Sequence, residues 1–285
     1  MTDDIEGELE RWKKIAEEHA FSVRQLTAQR ARLFEVFKLV GRVAAFNDEF
    51  HSLALSDAIR SVVRKPRRPE ESRLSKVLQA IEDCQSQFMQ DIICLLFASG
   101  KTNGFFVEFG ACDGILISNT VLLERQFGWR GILSEPAPFW HERLKNNRKC
   151  AIDTRCVWST SGRKLLFGEL ANDDFTQSGV IATGFSDNIS KQYEVDTISL
   201  IDLIREHKAP THINMLSVDT EGSEFAILES FPFNEYTFGF ICVEHHQKEQ
   251  EIPIKGLLEA AGYKQVLRSI SGHDGFYVPA SDNFV

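Results

Sequence analysis

The stretch that decides the fold is residues 105–114, which read Phe-Phe-Val-Glu-Phe-Gly-Ala-Cys-Asp-Gly. The apolar segment 105–108 ends in an acidic residue and runs into Gly-x-x-x-Gly, which predicts a buried strand followed by a tight loop. In an open α/β sheet such loops lie at the carboxyl ends of the strands, where nucleotide-like ligands bind. Gly110 would let the backbone approach a ligand closely, and Glu108 could accept hydrogen bonds from an ammonium group or from backbone donors.

The glycine spacing of this loop narrows the choice of ligand. A dinucleotide site favours G-x-G-x-x-G and a P-loop needs Gly-Lys-Ser/Thr, and the loop has neither pattern. The spacing acidic-x-Gly-x-x-x-Gly suits S-adenosylmethionine, which has no phosphates and needs carboxylates and close backbone for its ribose and its amino-acid end. This loop therefore predicts a binding site for that methyl donor.

A second acidic strand end supports this prediction. The short strand 131–134 is followed by Glu135-Pro136. A carboxylate at this position is expected to bind both hydroxyls of a ribose. Dehydrogenases share the feature, so a nicotinamide dehydrogenase stays open as an alternative, with the missing third glycine against it.

Strand-like and helix-like segments alternate beyond the first loop. The predicted strands are 105–108, 131–134, 150–158, 164–168, 213–218, 238–243, 263–269 and 275–278, and the predicted helices are 117–127, 139–146, 199–207, 223–229 and 253–261. This alternation predicts an α/β fold with an open, mainly parallel sheet. The last two strands are expected to form an antiparallel hairpin at one edge. A helical period over 74–99 comes before the first strand, and the polar stretch 169–193 predicts a mobile loop or a plain insertion.

Composition and charge exclude several classes of protein. Apolar residues make up 43% of the 285 residues, enough for a sizeable core. Residues 1–75 carry 14 Lys/Arg against 13 Asp/Glu and residues 76–285 carry 18 against 28, and this acidic main part argues against a nucleic-acid substrate. No apolar run approaches the about 18 residues of a transmembrane segment, and the N-terminus is acidic and polar, so we expect a cytoplasmic protein.

Residues 1–63 are predicted to form a helical, coiled-coil segment. Residues 8–62 contain one glycine and no proline, and ten of the fourteen a and d positions of a heptad frame that begins at Leu9 are apolar. Such a narrow stripe favours a homo-oligomer, and the alternative is a long helix packed on its own domain. The basic, proline-containing residues 64–73 predict a linker, and residues 74–285 are predicted to form the domain that binds S-adenosylmethionine.

The strand 213–218 supplies the first candidate catalytic group. It ends at Asp219, which places this carboxylate at the ligand edge of the sheet, and Glu221 follows in the loop. Glu224 lies near the start of the next helix, where a capping role is expected, although a site role stays open.

The strand 238–243 supplies the second group and ends in Glu244-His245-His246. A hydroxyl nucleophile needs a general base, and histidine titrates near neutral pH, so one of the two histidines, preferably His245, is expected to lie beside Asp219 as the base. Asp219, Glu244 and a histidine could instead hold a divalent cation. Because the ligand spacing on a helix is absent, we expect a site without a metal.

These motifs resemble the FkbM family of S-adenosylmethionine-dependent methyltransferases from about residue 103 to residue 279. The matching segments are 107–114, 118–120, 128–136, 196–204, 216–224 and 243–246. The resemblance implies a class I methyltransferase (Rossmann-like) fold, S-adenosyl-L-methionine as the cofactor and methyl transfer to a hydroxyl group, often on a sugar or a polyketide. Glu108 departs from the family pattern, because many members have aspartate there, but it keeps the charge.

The matches define the candidate site. The candidate cofactor-binding residues are Glu108, Gly110, Asp113, Asn119, Glu135, Pro136 and Asp219, and the candidate catalytic residues are Asp219, Glu244, His245 and His246. The first hypothesis is an O-methyltransferase that acts on a sugar hydroxyl of a glycan or glycoconjugate. The alternatives are a small-metabolite O-methyltransferase and a non-catalytic coiled-coil scaffold that only binds the ligand.

Overall fold

The computed structural model describes residues 73, 76–77, 79–170, 178–181, 189–245, 248–268 and 271–282. The chain divides into two compact units, residues 1–75 and 76–285, and nearly all described residues belong to the second. The predicted coiled coil at 1–63 and the predicted linker at 64–73, apart from Arg73, lie outside the described residues. Within the described part, no helix has the length and apolar character needed to cross a membrane.

The described residues of the second unit form two sheets flanked by helices. The strands are β1 (Phe105–Phe109), β2 (Arg130–Ser134), β3 (Ala151–Asp153), β4 (Cys156–Trp158), β5 (Lys164–Leu170), β6 (Ser178–Val180), β7 (Ile189–Ser199), β8 (His212–Val218), β9 (Thr237–Glu244), β10 (Tyr263–Val266) and β11 (Asp274–Pro279). The helices are α1 (Gln90–Phe97), α2 (Val121–Phe127), α3 (Pro138–Asn147), α4 (Leu200–Glu206), α5 (Glu224–Glu229) and α6 (Lys248–Ala260), and a 3-10 helix, Ala80–Asp83, precedes α1.

The larger sheet has the strand order β10-β11-β9-β8-β1-β2-β3. β1 pairs in parallel with β2 and β8, and β8 pairs in parallel with β9. β11 runs antiparallel to both β9 and β10. This confirms the predicted mainly parallel sheet and the predicted antiparallel hairpin at its edge.

The apolar character of the central strands explains their place in the sheet. β1 and β8 are buried along almost their whole length, because helices cover both of their faces. On one face, Val107, Leu216 and Ile241 belong to an apolar core that includes residues of α4, α5 and α6. On the other face, the ring of Phe240 stacks on Phe97 of α1 with 6.0 Å between ring centroids. The parallel strands therefore bring their carboxyl ends to one edge.

The smaller sheet, in the order β4-β7-β5-β6, is absent from the sequence-based expectations. The predicted strand 150–158 is wrong, because the chain turns at Arg155 and divides into β3 and β4, which lie in different sheets. The carboxylate of Asp153 accepts a hydrogen bond from the Arg155 backbone N at 2.9 Å and stabilises this turn.

The predicted loop 169–193 is also wrong in part. It contains the end of β5, the whole of β6 and the start of β7, while 171–177 and 182–188 lie outside the described residues. The first half of β7 is largely exposed, and only its last residues are buried. The sequence of this half is therefore polar, and it lacks the alternation of apolar and polar residues by which a strand is predicted.

The predicted helical period over 74–99 is interrupted between the 3-10 helix and α1. Met89, just before α1, has a left-handed φ of 61°. The carboxylate of Asp91 accepts hydrogen bonds from Ser86 Oγ at 2.7 Å and from Cys84 Sγ at 3.0 Å. These bonds hold the chain in a turn, so a local side-chain network overrides the helical pattern.

Candidate active site

The carboxyl ends of β1, β2, β8 and β9 lie at one edge of the larger sheet. Gly110 follows β1, Glu135 follows β2, Asp219 follows β8, and Glu244 is the last residue of β9. The loops after β1 and β8 touch each other, because a Cβ at Gly110 would lie 2.4 Å from the backbone oxygen of Asp219. Gly110 also has a φ of +70°, so both the contact and the backbone conformation require glycine.

A small cavity lies between these loops. It is lined by Gly110, Glu135 and Asp219 from the larger sheet, and by Phe167 of β5 and Val180 of β6 from the smaller one. Its volume of 40 Å³ is far below the roughly 300–1,000 Å³ of pockets that hold drug-sized ligands. This cavity would therefore have to widen to admit a ligand of the size of S-adenosylmethionine.

Glu135 is a buried residue of the cavity wall. It is 2% exposed, and its two carboxylate oxygens accept hydrogen bonds from the backbone N of Cys112 and of Ala137, both at 2.8 Å. Burial raises the pKa of Glu135 to about 7, although both backbone hydrogen bonds oppose the shift. Glu135 thus ties the first loop to the start of α3, and Pro136 beside it also lines the cavity.

Glu108 turns towards the loop that precedes α2. The residue is 3% exposed, and its carboxylate accepts hydrogen bonds from Asn119 N at 2.7 Å, from Ser118 Oγ at 3.2 Å and from Thr120 Oγ1. Arg148 Nη1 lies 3.8 Å away. Of the two kinds of donor expected for Glu108, an ammonium group or backbone N–H groups, the structure shows the second, because Asn119 N and two hydroxyl groups already surround this carboxylate. The geometry gives Glu108 the role of fixing the loop.

Two predicted residues in that loop have different surroundings. Asp113 accepts hydrogen bonds through Oδ1 from the backbone N of Ile115 and of Leu116, at 2.8 and 2.7 Å, so it closes a turn. Asn119 donates from Nδ2 to Ser217 Oγ at 2.9 Å. The Oδ1 of Asn119 is buried and has no hydrogen-bond partner among the described residues. Asn119 therefore offers an acceptor to a ligand.

Three carboxylates meet beyond β8 and β9. Oxygens of Asp219, Glu221 and Glu244 all lie within 4.8 Å of one another. Burial raises the pKa of Glu244, and the charge of Asp219 and the hydrogen bond between the two side chains raise it further. The coupled pair therefore retains a proton more readily than two separate carboxyl groups would. Oxygens at this spacing could also hold a divalent cation, and the site without a metal stays a prediction.

Glu224 does not take part in this group of oxygens. It is 2% exposed, and its Oε1 accepts hydrogen bonds from the backbone N of Thr220 at 2.9 Å and of Gly222 at 3.0 Å. These bonds close the loop between β8 and α5. Glu224 thus closes the loop that precedes α5, and the predicted capping of the helix is not seen, because its carboxylate bonds to residues before the helix and not to the first N–H groups of α5.

The structure does not bring His245 to the carboxylates. His245 is 6% exposed, and its Nε2 lies 3.0 Å from the point where a Cβ of Gly275 would be. Burial lowers the pKa of His245, and the negative charge that acts on it most is that of Glu251 in α6. The group of oxygens within 4.8 Å of one another comprises Asp219, Glu221 and Glu244, and the expected position of His245 beside Asp219 is not seen. His246 lies outside the described residues.

Two polar residues near the site, Asp274 and Arg148, are not predicted from the sequence. Asp274, opposite Glu244 in the pairing of β9 with β11, accepts a hydrogen bond from Gln90 Nε2 at 2.8 Å, and burial raises the pKa of Asp274 to about 7. Gln90 and Asp274 are 184 residues apart, so no local pattern predicts the contact. The other group is Arg148, which is buried beside the loop before α2 although an arginine after a helix usually suggests a solvated side chain.

This fold, with glycine and carboxylates at the carboxyl edge of a mostly parallel sheet, is that of a methyltransferase-like α/β protein. The sequence profile of the methyltransferase FkbM domain matches residues 108–265, which is more than half of the chain. The chain belongs to the FkbM methyltransferase family.

Several solved structures are similar to the chain at low sequence identity. The methyltransferase FkbM from Methylobacillus flagellatus KT matches with a TM-score of 0.42 and 14% sequence identity. The match covers 80% of the present chain and 59% of the Methylobacillus chain. A precorrin-6y C5,15-methyltransferase from Geobacter metallireducens GS-15 matches with a TM-score of 0.35 and 11% sequence identity, and the match covers 61% of the present chain and 70% of the Geobacter chain. An O-methyltransferase family protein from Burkholderia thailandensis matches with a TM-score of 0.33 and 10% sequence identity, and the match covers 82% of the present chain and 72% of the Burkholderia chain. The chain thus spans less than two thirds of the first of these, and no curated protein matches it.

Proposed function

We propose that this protein is an S-adenosylmethionine-dependent O-methyltransferase that methylates a sugar hydroxyl of a glycan or glycoconjugate. The observation that carries the proposal is the meeting of Gly110, Glu135 and the Asp219–Glu244 pair at one edge of the sheet. Membership of the FkbM family supports methyl transfer. The sugar acceptor rests on the family resemblance, and a small metabolite with a hydroxyl group is the alternative for the same site.

The donor and acceptor groups at this edge suit the chemistry of S-adenosylmethionine, and the small cavity between the loops would widen to admit it. Glu135 and Pro136 would bind the ribose, the backbone at Gly110 would lie against the cofactor, and Asn119 would accept a hydrogen bond from the amino-acid end through its unpartnered Oδ1. When bound, the cofactor would supply a methyl group on a sulfonium, which is already a strong electrophile. The protein's own task is then to orient the acceptor and to remove its proton.

The Asp219–Glu244 pair is the proposed proton acceptor. Glu244 carries the proton that the pair holds at neutral pH, so Asp219 remains available to accept the proton of the attacking hydroxyl. His245 is withdrawn from this role because it lies away from the carboxylates. The negative charge of the group also favours a neutral, hydroxyl-bearing acceptor over an anionic one.

The experiment that tests the function has a binding step and a transfer step. Calorimetry should show binding of S-adenosylhomocysteine in the micromolar range, which corresponds to about −8 kcal/mol. Labelled S-adenosylmethionine should then transfer its methyl group to members of a panel of saccharides and small alcohols. Binding without transfer to any acceptor would favour the scaffold alternative, and binding of NAD without the methyl donor would contradict the proposal.

Cofactor affinity is expected to depend on the protonation of Glu135. Burial raises the pKa of Glu135 to about 7, so the carboxylate that would accept the ribose hydroxyls forms only as the pH rises through this value. The affinity for S-adenosylhomocysteine should therefore rise by up to about tenfold per pH unit below about pH 7 and level off above about pH 8. Calorimetry over roughly three pH units centred on neutrality checks this. Glu135→Gln should remove the dependence, and a pH-independent wild-type affinity would contradict it.

Residues 1–63 are proposed to join copies of the chain into a homo-oligomer in the cytoplasm. In the heptad frame, Leu26 and Leu33 occupy d positions of the apolar seam, whereas Ala28 occupies an outer position. Leu26→Asp with Leu33→Asp should convert the full chain to monomers in light scattering, because two charges would be buried in the seam. Ala28→Asp is the matched control and should leave the mass unchanged. A monomeric wild-type chain would mean that the helix packs on its own domain.

A further inference from the structure

Arg148 is the most completely buried cation beside the candidate site within the described residues. It follows α3, and its side chain is 0% exposed. Nη1 donates to the Gly114 backbone oxygen at 3.1 Å and to Ser118 Oγ at 3.2 Å, and Nη2 donates to Thr120 Oγ1 at 2.9 Å. Nε pairs with the carboxylate of Glu124 in α2. One guanidinium group therefore contacts both ends of the segment 114–120 and fixes its conformation.

Glu108 holds the same segment from the side of the sheet. Its carboxylate accepts hydrogen bonds from Asn119 N and from the hydroxyl groups of Ser118 and Thr120, and it lies 3.8 Å from Arg148 Nη1. The guanidinium and the carboxylate therefore act on the same two hydroxyl groups. Neither charge could be buried here alone without a large loss of free energy of unfolding.

Asn119 lies within this network, between Glu108 of β1 and Ser217 of β8. Its backbone is held by Glu108, and its Nδ2 donates to Ser217 Oγ at 2.9 Å. Ser217 lies on β8 in register with Glu108, two residues before Asp219. The Oδ1 of Asn119 is one of six buried side-chain atoms that have no hydrogen-bond partner among the described residues, and it is the one that belongs to this network. A buried amide oxygen needs a donor, and an ammonium group is a strong one.

We propose that Arg148 is a positioning residue that presents Asn119 Oδ1 to the ammonium group of the cofactor's amino-acid end. The inference rests on the proposed function and deepens it, because it assigns one end of the cofactor to one end of the site. Arg148 does not touch the cofactor. It acts through the segment 114–120, whose shape it fixes together with Glu108.

Two probes separate this role from a general structural one. S-adenosylhomocysteine has the amino-acid end, whereas 5′-methylthioadenosine has the same adenosine but lacks that end. Arg148→Met should weaken S-adenosylhomocysteine by about 10–100-fold in calorimetry, the range expected for a lost charge-assisted hydrogen bond, and leave methylthioadenosine affinity unchanged. Asn119→Ala should have the same two effects, and combining the substitutions should add little, because both remove one interaction.

A further variant and a control keep the result interpretable. Arg148→Met leaves the carboxylates of both Glu108 and Glu124 without their cation, so the double variant Glu108→Gln/Arg148→Met should regain part of the thermal stability without regaining affinity for S-adenosylhomocysteine. Arg155→Met removes an arginine that pairs with Asp153 and Glu206, and it should change neither affinity.

The outcomes against the proposal are distinct. Equal losses for both probes in Arg148→Met would show a purely structural arginine, and no loss for either would show that Arg148 does not set the site. A wild-type protein that binds neither probe would overturn the proposed function itself.

Discussion

Replacing Asp219 with asparagine is expected to lower the rate of methyl transfer by about 10²–10⁴-fold, because it removes the carboxylate proposed to take up the acceptor's proton. Asparagine has nearly the same shape as aspartate and still accepts hydrogen bonds, so the loop after β8 should keep its contact with Gly110. Turnover is measured as S-adenosylhomocysteine release with the best acceptor, at saturating cofactor, so that any change in cofactor affinity is separated from the change in rate. Calorimetry on the same variant gives that affinity directly.

Glu244→Gln is the matched control for Asp219→Asn, because it separates the two carboxylates of the pair. Burial and the charge of Asp219 raise the pKa of Glu244, which is the proposed carrier of the pair's proton, and glutamine reproduces such a neutral hydrogen-bond donor. Turnover at neutral pH should therefore stay within about tenfold of wild type, far above that of Asp219→Asn. An equal loss in both variants would contradict the assignment of the base to Asp219 alone.

His245→Ala tests the histidine that the sequence favours as the base. Its side chain lies beside Gly275, under the charge of Glu251 and away from the carboxylates, so turnover should change by only a few-fold. A loss as large as that expected for Asp219→Asn would return the base to His245. Full activity in Asp219→Asn would remove Asp219 from the mechanism.

The parts of the fold that could be predicted from the sequence are those where burial decides the residue type. β1, β8 and β9 are covered on both faces, so they are apolar along their length and their ends are easy to place. β7 is covered mainly at its end, and its first half has the polar composition of a loop. The turn before α1 depends on a hydrogen-bond network around Asp91, which no periodicity reveals.

The candidate site shows the same division between position and orientation. Glu135, Asp219 and Glu244 each lie at the end of a strand. Because parallel strands all end at the same edge of the sheet, the sequence places the three residues at that edge. The direction of a side chain depends on neighbours that are distant in sequence. Glu108 bonds to the segment held by Arg148, and His245 lies against Gly275, and neither outcome follows from the local sequence.

Replacing Gly110 with alanine is expected to abolish useful cofactor binding and to destabilise the fold. The new Cβ would lie 2.4 Å from the backbone oxygen of Asp219, and this oxygen belongs to a loop that cannot rotate aside like a flexible side chain. The left-handed φ of +70° adds about 1–2 kcal/mol of strain for a residue with a Cβ. The loops after β1 and β8 must then separate, and a displacement of about 1 Å at such a site can reduce binding or rate by about 100-fold.

Gly162→Ala is the matched control, because it separates the strain from the collision. Gly162 has nearly the same conformation, with a φ of +72°, but a Cβ there would meet nothing within 4 Å. Both variants should lower the melting temperature through strain, and Gly110→Ala should lower it further. Only Gly110→Ala should lose affinity for S-adenosylhomocysteine in calorimetry. If the two variants bind it equally well, the contact between Gly110 and Asp219 does not shape the cofactor site, and the carboxyl edge of β1 would no longer be the place where the cofactor is held.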